Sequence, residues 1–234
     1  MQINAVILDF GYVLTLPPRE EDFEVLRELR GADPVAFREA FWRRRDTYDR
    51  GLIDGPAYWG RVASDCHTSF TPEQIAQLIE RDIQLWIRPH PVLLPWARLL
   101  IQRGIKLAVL SNMPGELGQY IRQTTDWLRP FHHLCFSGEL KVWKPEPAIY
   151  RTCLEALDVP AGKALFLDDR EVNVEGARAV GMHAVVFHSV EKLRADLEAF
   201  GLAATLSDAA AHAEQCASDL ANALGQRPPP RRSE

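Results

Sequence analysis

From residue 91 onward the chain alternates short apolar runs with longer stretches of helical spacing, and this alternation restricts its fold more than any other property of the sequence. The spacing predicts strands over 105–110, 133–136, 164–167 and 183–187, and helices over 92–103, 114–125, 145–157, 172–180, 189–200 and 207–224. Strands that alternate with helices of this length form βαβ units, and hence a parallel sheet covered on both faces. A further strand stands far upstream. Ala5-Val6-Ile7-Leu8 is a run of consecutive apolar residues that reads as buried on both faces, and it ends on Asp9, followed by Phe10-Gly11-Tyr12-Val13-Leu14-Thr15. The expected class is α/β, with a doubly wound parallel sheet.

Between the first strand and residue 91 strand character disappears. Pro17-Pro18 marks a linker, and helical spacing follows over 20–30, 34–48, 57–66 and 71–86, interrupted at Gly51 and at Asp54-Gly55-Pro56. Thr71-Pro72-Glu73 opens the last of these as N-cap and N1 proline. The expected organisation is an α/β core over 1–16 and 89–205, a helical cap over 17–88, and a C-terminal helix with a disordered tail over 206–234. At 234 residues the chain is long enough for one large domain with such an insertion. No apolar run approaches the ~18 residues that span a bilayer, and no basic-then-apolar signal segment precedes the first strand, so a soluble, cytoplasmic protein without a membrane partner is expected. A net charge of −5 offers no basic face for nucleic acid. Cys66, Cys135, Cys153 and Cys216 form no C-x-x-C pair, which argues against a zinc site or a disulfide framework.

In a parallel sheet the residues that follow each strand converge on one crevice. Asp9 there is a candidate nucleophile or metal ligand; the alternative makes it a turn residue, with Gly11 supplying a positive φ. Ser111-Asn112-Met113-Pro114 reads first as a helix cap, and second as a phosphate site at a helix N-terminus. Lys144 lies among prolines and aromatics that would hold it inward as a fixed cation, with Lys141 as the competing lysine. Asp168 and Asp169 repel one another at a strand end unless a cation is near, and a hard divalent ion such as Mg²⁺ would relieve that. The alternative is a double-aspartate helix cap. Asn173 stands one turn further on.

The order Asp9, Ser111, Lys144, Asp168-Asp169 resembles the four-motif signature of the haloacid dehalogenase-like (HAD) hydrolase superfamily. The likeness runs over residues 3–200 and includes a helical cap after the first motif, as in the subfamily with the four-helix C1 cap. Lys144-Pro145-Glu146-Pro147-Ala148-Ile149-Tyr150 and Phe166-Leu167-Asp168-Asp169 through Asn173-Val174-Glu175-Gly176-Ala177-Arg178 are similar to its third and fourth motifs. The resemblance implies a Rossmann-like core and a phosphatase in which Asp9 forms an aspartyl-phosphate. It implies that Ser111, with Asn112 beside it, binds the phosphoryl group of a small phosphorylated metabolite, and that Lys144 balances charge. It also implies Mg²⁺ held by Asp9, Asp169, the carbonyl of Gly11 and, behind them, Asp168.

The departure is at Gly11, where most phosphatases of the family carry a second aspartate as general acid–base, a group worth typically ~10²–10⁴ in rate. Three readings compete: a leaving group that needs little protonation, such as a sugar 1-phosphate or acyl phosphate; another acid, Tyr12 or a cap residue; or a protein that is no phosphatase. The first is favoured by a bacterial branch with Asp-x-Gly-x-Val in motif one, the α-D-glucose-1-phosphate phosphatase type, which is similar here and in Arg50-Gly51-Leu52-Ile53. A silent binding domain and a haloacid dehalogenase are the alternatives. In the cap, Arg43, Arg44, Arg45, Tyr48, Arg50, Tyr58 and Trp59 are the residues to search for substrate contacts. Most of the arginine run reads as a solvated face, and Trp42, Trp59 and Trp86 read as cap core.

Overall fold

The computed structural model describes residues 2–28 and 33–225. In chain order the elements are β1 (Ala5–Leu8), α1 (Glu20–Glu28), α2 (Pro34–Asp49), α3 (Gly55–Asp65), α4 (Pro72–Trp86), α5 (Leu93–Gln102), β2 (Lys106–Ser111), α6 (Gly115–Thr124), β3 (His133–Phe136), α7 (Ser137–Leu140), α8 (Pro147–Leu157), β4 (Ala164–Asp168), α9 (Glu171–Ala179), β5 (His183–Val186), α10 (Val190–Asp196) and α11 (Ala203–Gly225). The strands form one parallel sheet in the order β3-β2-β1-β4-β5, which is the α/β class expected. The chain leaves the centre through β2 and β3 and returns to the other side of β1 as β4. The topological switch point, where ligands bind in such sheets, therefore lies at the carboxyl ends of β1 and β4.

The apolar runs explain the centre of the sheet. All four residues of β1 are fully buried. Val6 and Leu8 face the side that also holds Leu107, Val109, Leu165 and Leu167, while Ala5 and Ile7 face Leu110, Tyr150 and Phe166 on the other. The first of these clusters continues into Phe37, Phe41 and Trp59 of α2 and α3, so one body of apolar contact joins sheet and helical insertion.

Local signals start the inserted helices. Asp33 and Asp54 accept from the N–H groups of Ala36 and Ala57, each at 2.9 Å, ahead of prolines in the first turn. Thr71 and Gln74 exchange the reciprocal bonds of a capping box at α4. The two chain crossings between insertion and sheet pair antiparallel: the Leu16 N–H donates to Arg88 O and the His90 N–H to Leu14 O, at 2.9 and 2.8 Å.

Several boundaries differ from expectation. The helix expected from 145 begins at Pro147, because the Glu146 N–H turns back to Trp143 O at 2.8 Å. The helix expected over 189–200 splits into α10 and a 3₁₀ turn, Leu197–Phe200. The helix expected from 207 starts at Ala203, since Leu202, Leu206 and Ala209 share its buried stripe. The tail expected over 226–234 and the end of the helix expected over 20–30 lie outside the described residues. No helix among the described residues is long and apolar enough to cross a membrane.

Gly176 is one of several described glycines that close approach requires. A Cβ on Gly176 in α9 would stand 2.8 Å from the Pro145 carbonyl oxygen and 2.9 Å from the Tyr150 hydroxyl. Gly176→Ala is therefore expected to cost about 1–3 kcal/mol by overpacking. Urea denaturation reads that loss directly.

Candidate active site

Each candidate residue is delivered by a strand end or by the loop beside one. Asp9 follows β1, and its N–H extends the ladder to Leu167 O at 2.9 Å. The carboxylate oxygen Oδ1 accepts from the Phe10 N–H at 2.6 Å. Ser111 closes β2 and Asp168 closes β4. Gly11 has φ −66°, ordinary extended backbone, so the glycine does not supply a left-handed turn; the residue at positive φ (62°) is Tyr12. A Cβ at position 11 would lie 3.4 Å from Trp86 Cε3, an ordinary contact, so the indole of Trp86 stands over the backbone there.

Lys144 is buried and central. Its Nζ lies 2.9 Å from Asp9 Oδ1 and 2.6 Å from Asp168 Oδ2. The other oxygen of Asp168 accepts from the Arg170 N–H and from Asn173 Nδ2, both at 2.9 Å. Lys141 points elsewhere and donates to Gly51 O at 2.9 Å. The cap reading of the Ser111–Pro114 stretch is corrected: the N-cap of α6 is Pro114, without a side-chain bond. Asn112 turns its side-chain amide on the backbone of Lys144, through its oxygen and one of its two Nδ2 hydrogens. Its Oδ1 accepts from the Lys144 N–H at 2.8 Å and its Nδ2 donates to Lys144 O at 2.9 Å, so Asn112 fixes the backbone that aims the lysine.

Asp9, Asp168 and Asp169 each bring a carboxylate oxygen within 4.8 Å of the others, and Lys144 is the cation ion-paired among them. Burial, only partly offset by Lys144, pushes the Asp9 carboxyl up to about 7. Burial, with Asp168 adjacent, also raises Asp169. Burial works against the charge on Lys144, but Asp168 and Asp9 override it and raise the pKa of the ammonium. The buried Asn173 Oδ1 has no hydrogen-bond partner. Three carboxylates, one ammonium and an orphaned amide oxygen make an oxygen-rich, cation-deficient site, the donor set that a hard divalent ion takes.

A cavity of about 170 Å³ opens over this cluster. Its floor includes Asp9, Ser111, Lys144 and Asp169, and its roof includes Trp42, Arg45, Asp49 and Trp86 from the inserted helices. Of the seven searched-for cap residues, Arg45 alone reaches the cavity. Arg43 and Arg44 lie on the outer face near Asp65, while Tyr48 and Tyr58 stack at 4.4 Å inside the helical insertion. Trp59 and Trp86 are buried in the core as expected, although Trp86 also lines the cavity; Trp42 is half-exposed and lines it too. Arg45 could have been found from its spacing, since it shares a helix stripe with Phe41 and Tyr48. Nothing local marks Asp49.

A family model described as haloacid dehalogenase-like hydrolase matches residues 3–181, and a second, HAD-hydrolase-like, matches 142–223. A phosphoglycolate phosphatase of Rhodospirillum rubrum is 30% identical over 192 residues, 78% of each chain. Haloacetate dehalogenase H-2 of a Moraxella species is 31% identical over 97 residues, 42% of this chain and 43% of its own. A phosphorylated carbohydrates phosphatase of Thermotoga maritima is 32% identical over 103 residues, 43% of this chain and 48% of its own. The matches to these last two span less than half of those proteins. Among solved structures, the HAD family enzyme BT-2542 of Bacteroides thetaiotaomicron, in complex with magnesium and inorganic phosphate, superposes with a TM-score of 0.62 at 19% identity, over 80% of this chain and 94% of its own.

Proposed function

The chain belongs to the haloacid dehalogenase-like hydrolase family, and from that premise we propose that it is a Mg²⁺-dependent phosphatase of small phosphomonoesters, working through an aspartyl-phosphate on Asp9. The observation that carries this reading is the cluster of Asp9, Asp168 and Asp169 around the single buried Lys144. A dehalogenase, which attacks carbon and needs no cation, has no use for that surplus of negative charge. The phosphatase and dehalogenase relatives leave the choice to this chemistry.

In the proposed reaction Lys144 favours the ionised, nucleophilic form of Asp9 and sits against the incoming phosphoryl oxygens. Ser111, on the same floor, donates its hydroxyl to the phosphoryl group. Mg²⁺ held by Asp9, Asp169 and the carbonyl of Gly11, with Asp168 behind them, would supply the positive charge the site lacks. Phosphoryl transfer is mostly positioning and electrostatics, so this small set suffices. The helical insertion acts as a cap that excludes water from the cavity. A sugar 1-phosphate suits the site on two grounds: its anomeric leaving oxygen needs less protonation, and Trp42 and Trp86 present indole surface to its apolar face.

The test is a panel of sugar 1-phosphates, acyl phosphates, alkyl phosphates and 2-haloalkanoates, each assayed with Mg²⁺ and with a chelator. Mg²⁺-dependent phosphate release, faster on anomeric and acyl than on alkyl phosphates, is expected. Halide release would establish the dehalogenase instead. No turnover anywhere on the panel would leave a binding domain.

A further inference from the structure

We propose that Asp49, at the end of α2, is the acid–base group of this reaction, protonating the leaving oxygen and then taking a proton from the hydrolytic water. The proposal rests on the phosphatase reading above. Asp49 lines the same cavity as Asp9 and Ser111, from the opposite wall. It is carried by the helical insertion but tied to the core. Its carbonyl oxygen accepts from Ser137 Oγ, which itself accepts from the Met113 N–H at 3.0 Å, two residues beyond Ser111. Two further bonds hold the following turn: Lys141 Nζ to Gly51 O at 2.9 Å, and the Gly55 N–H to Glu116 Oε1 at 2.6 Å. The carboxyl is thereby fixed relative to the floor of the site.

A charge count places the proton. One guanidinium, Arg45, serves two carboxylates. Its Nη1 donates to both oxygens of Asp82 at 2.8 and 2.7 Å, and Asp82 also accepts from Trp86 Nε1 at 3.2 Å. Asp49 receives Arg45 Nε alone, at 2.7 Å. The Asp82 side chain is buried and that of Asp49 is 24% exposed toward the cavity; two carboxylates so covered, with one cation between them, favour retention of a proton, and Asp49 has fewer donors to stabilise its charge. Burial, offset only partly by Arg45, pushes the Asp49 carboxyl up to about 7, where an acid–base group works best at neutral pH. The groups facing it are Arg45 and Asp46 on α2, Tyr58 on α3 and Asp82 on α4. Gly11 offers no side chain. Tyr12, the other candidate, carries a phenol whose ordinary pKa of about 10 matches neutral pH poorly.

The steps balance. An oxygen of Asp9 forms a bond to phosphorus as the ester P–O bond breaks; the leaving oxygen takes that electron pair and the Asp49 proton. Asp49, now a carboxylate beside Arg45, accepts a proton from water as the water oxygen bonds phosphorus and the P–O bond to Asp9 breaks. Inorganic phosphate leaves, and both carboxyls return to their starting states.

Leaving-group dependence in single turnovers of the full chain tests this. Asp49→Asn is expected to slow transfer from an alkyl phosphate by about 10²–10⁴-fold and from acetyl phosphate, whose leaving group needs no proton, by less than about tenfold. Asp49→Glu is expected to recover part of the alkyl rate. Equal slowing of both substrates would mean a structural role and overturn the proposal. The unmodified protein gives a readout independent of mutant folding. The ratio of its transfer rate from the alkyl phosphate to that from acetyl phosphate should fall as pH rises through about 7, because ionisation of the nucleophile is common to both substrates and cancels; a ratio that ignores pH would overturn the proposal. Failure of the unmodified protein to hydrolyse any phosphomonoester would overturn both this and the phosphatase reading.

Discussion

Asp9→Asn is expected to abolish phosphate release while making the metal-free protein more stable. Asparagine keeps the shape and the acceptor oxygen that takes the Phe10 N–H at 2.6 Å, but it cannot attack phosphorus. The loss in kcat should be on the order of 10⁴-fold or more, as for other enzymes stripped of their nucleophile. The stability gain follows from the raised pKa. A carboxyl held at about 7 in the folded chain and near 3.8 when unfolded prefers to be protonated in the fold, so ionising it costs stability progressively as pH rises from about 4 to about 7. Removing that carboxyl should therefore stabilise the variant by on the order of 1–2 kcal/mol at pH 8 and leave little difference at pH 4. Thermal melts in a chelator at the two pH values check it; a variant less stable than the parent at pH 8 would refute the electrostatic account.

Lys144→Met carries the second large effect, with both activity and stability falling. The Lys144 side chain is 1% exposed, and its removal leaves Asp9 and Asp168 buried beside Asp169 without an ion-pair partner. Breaking a buried pair in this way costs about 3–5 kcal/mol, a fall in Tm of roughly 6–20 °C for a chain of this size. The deficit should widen as pH rises, because the abandoned carboxylates can take up protons only at lower pH. Millimolar Mg²⁺ should return part of the lost Tm, since it supplies the same missing charge. Phosphate release should fall by about 10²–10³-fold even with Mg²⁺ present, the scale of losing one preorganised electrostatic contact. A Tm that ignores both pH and Mg²⁺ would show that the lysine is held for packing alone.

Much of this arrangement was legible in the chain because its signals are local. Runs such as Ala5-Val6-Ile7-Leu8 and Ala164-Leu165-Phe166-Leu167 are too apolar to lie anywhere but the middle of a covered sheet, and whatever follows them must gather at one edge. Asp9, Ser111 and Asp168 could thus be placed before any coordinate. What stayed hidden depends on partners far along the chain. Asn112 looks like a helix cap to its neighbours, but its partner is Lys144, 32 residues on. Arg45 looks like one of three equivalent arginines until Asp82, 37 residues away, separates it from them. Trp86 can be recognised as the indole over Gly11 only once α4 is folded against the sheet.

The position of β1 has a consequence for how the site comes apart. It is the central strand, hydrogen-bonded to β2 on one side and β4 on the other, and its amides should be among the slowest in the molecule to exchange with solvent deuterium. Asp9 is therefore lost only when the whole sheet is lost. Asp49 belongs to the helical insertion, which joins the sheet through shared apolar contact, two chain crossings and a few polar bonds but adds no strand to it, so it can part from Asp9 without loss of the strand ladder. The two halves of the site sit in units of different local stability, so gentle heating should separate them reversibly while the strand beneath the nucleophile stays protected.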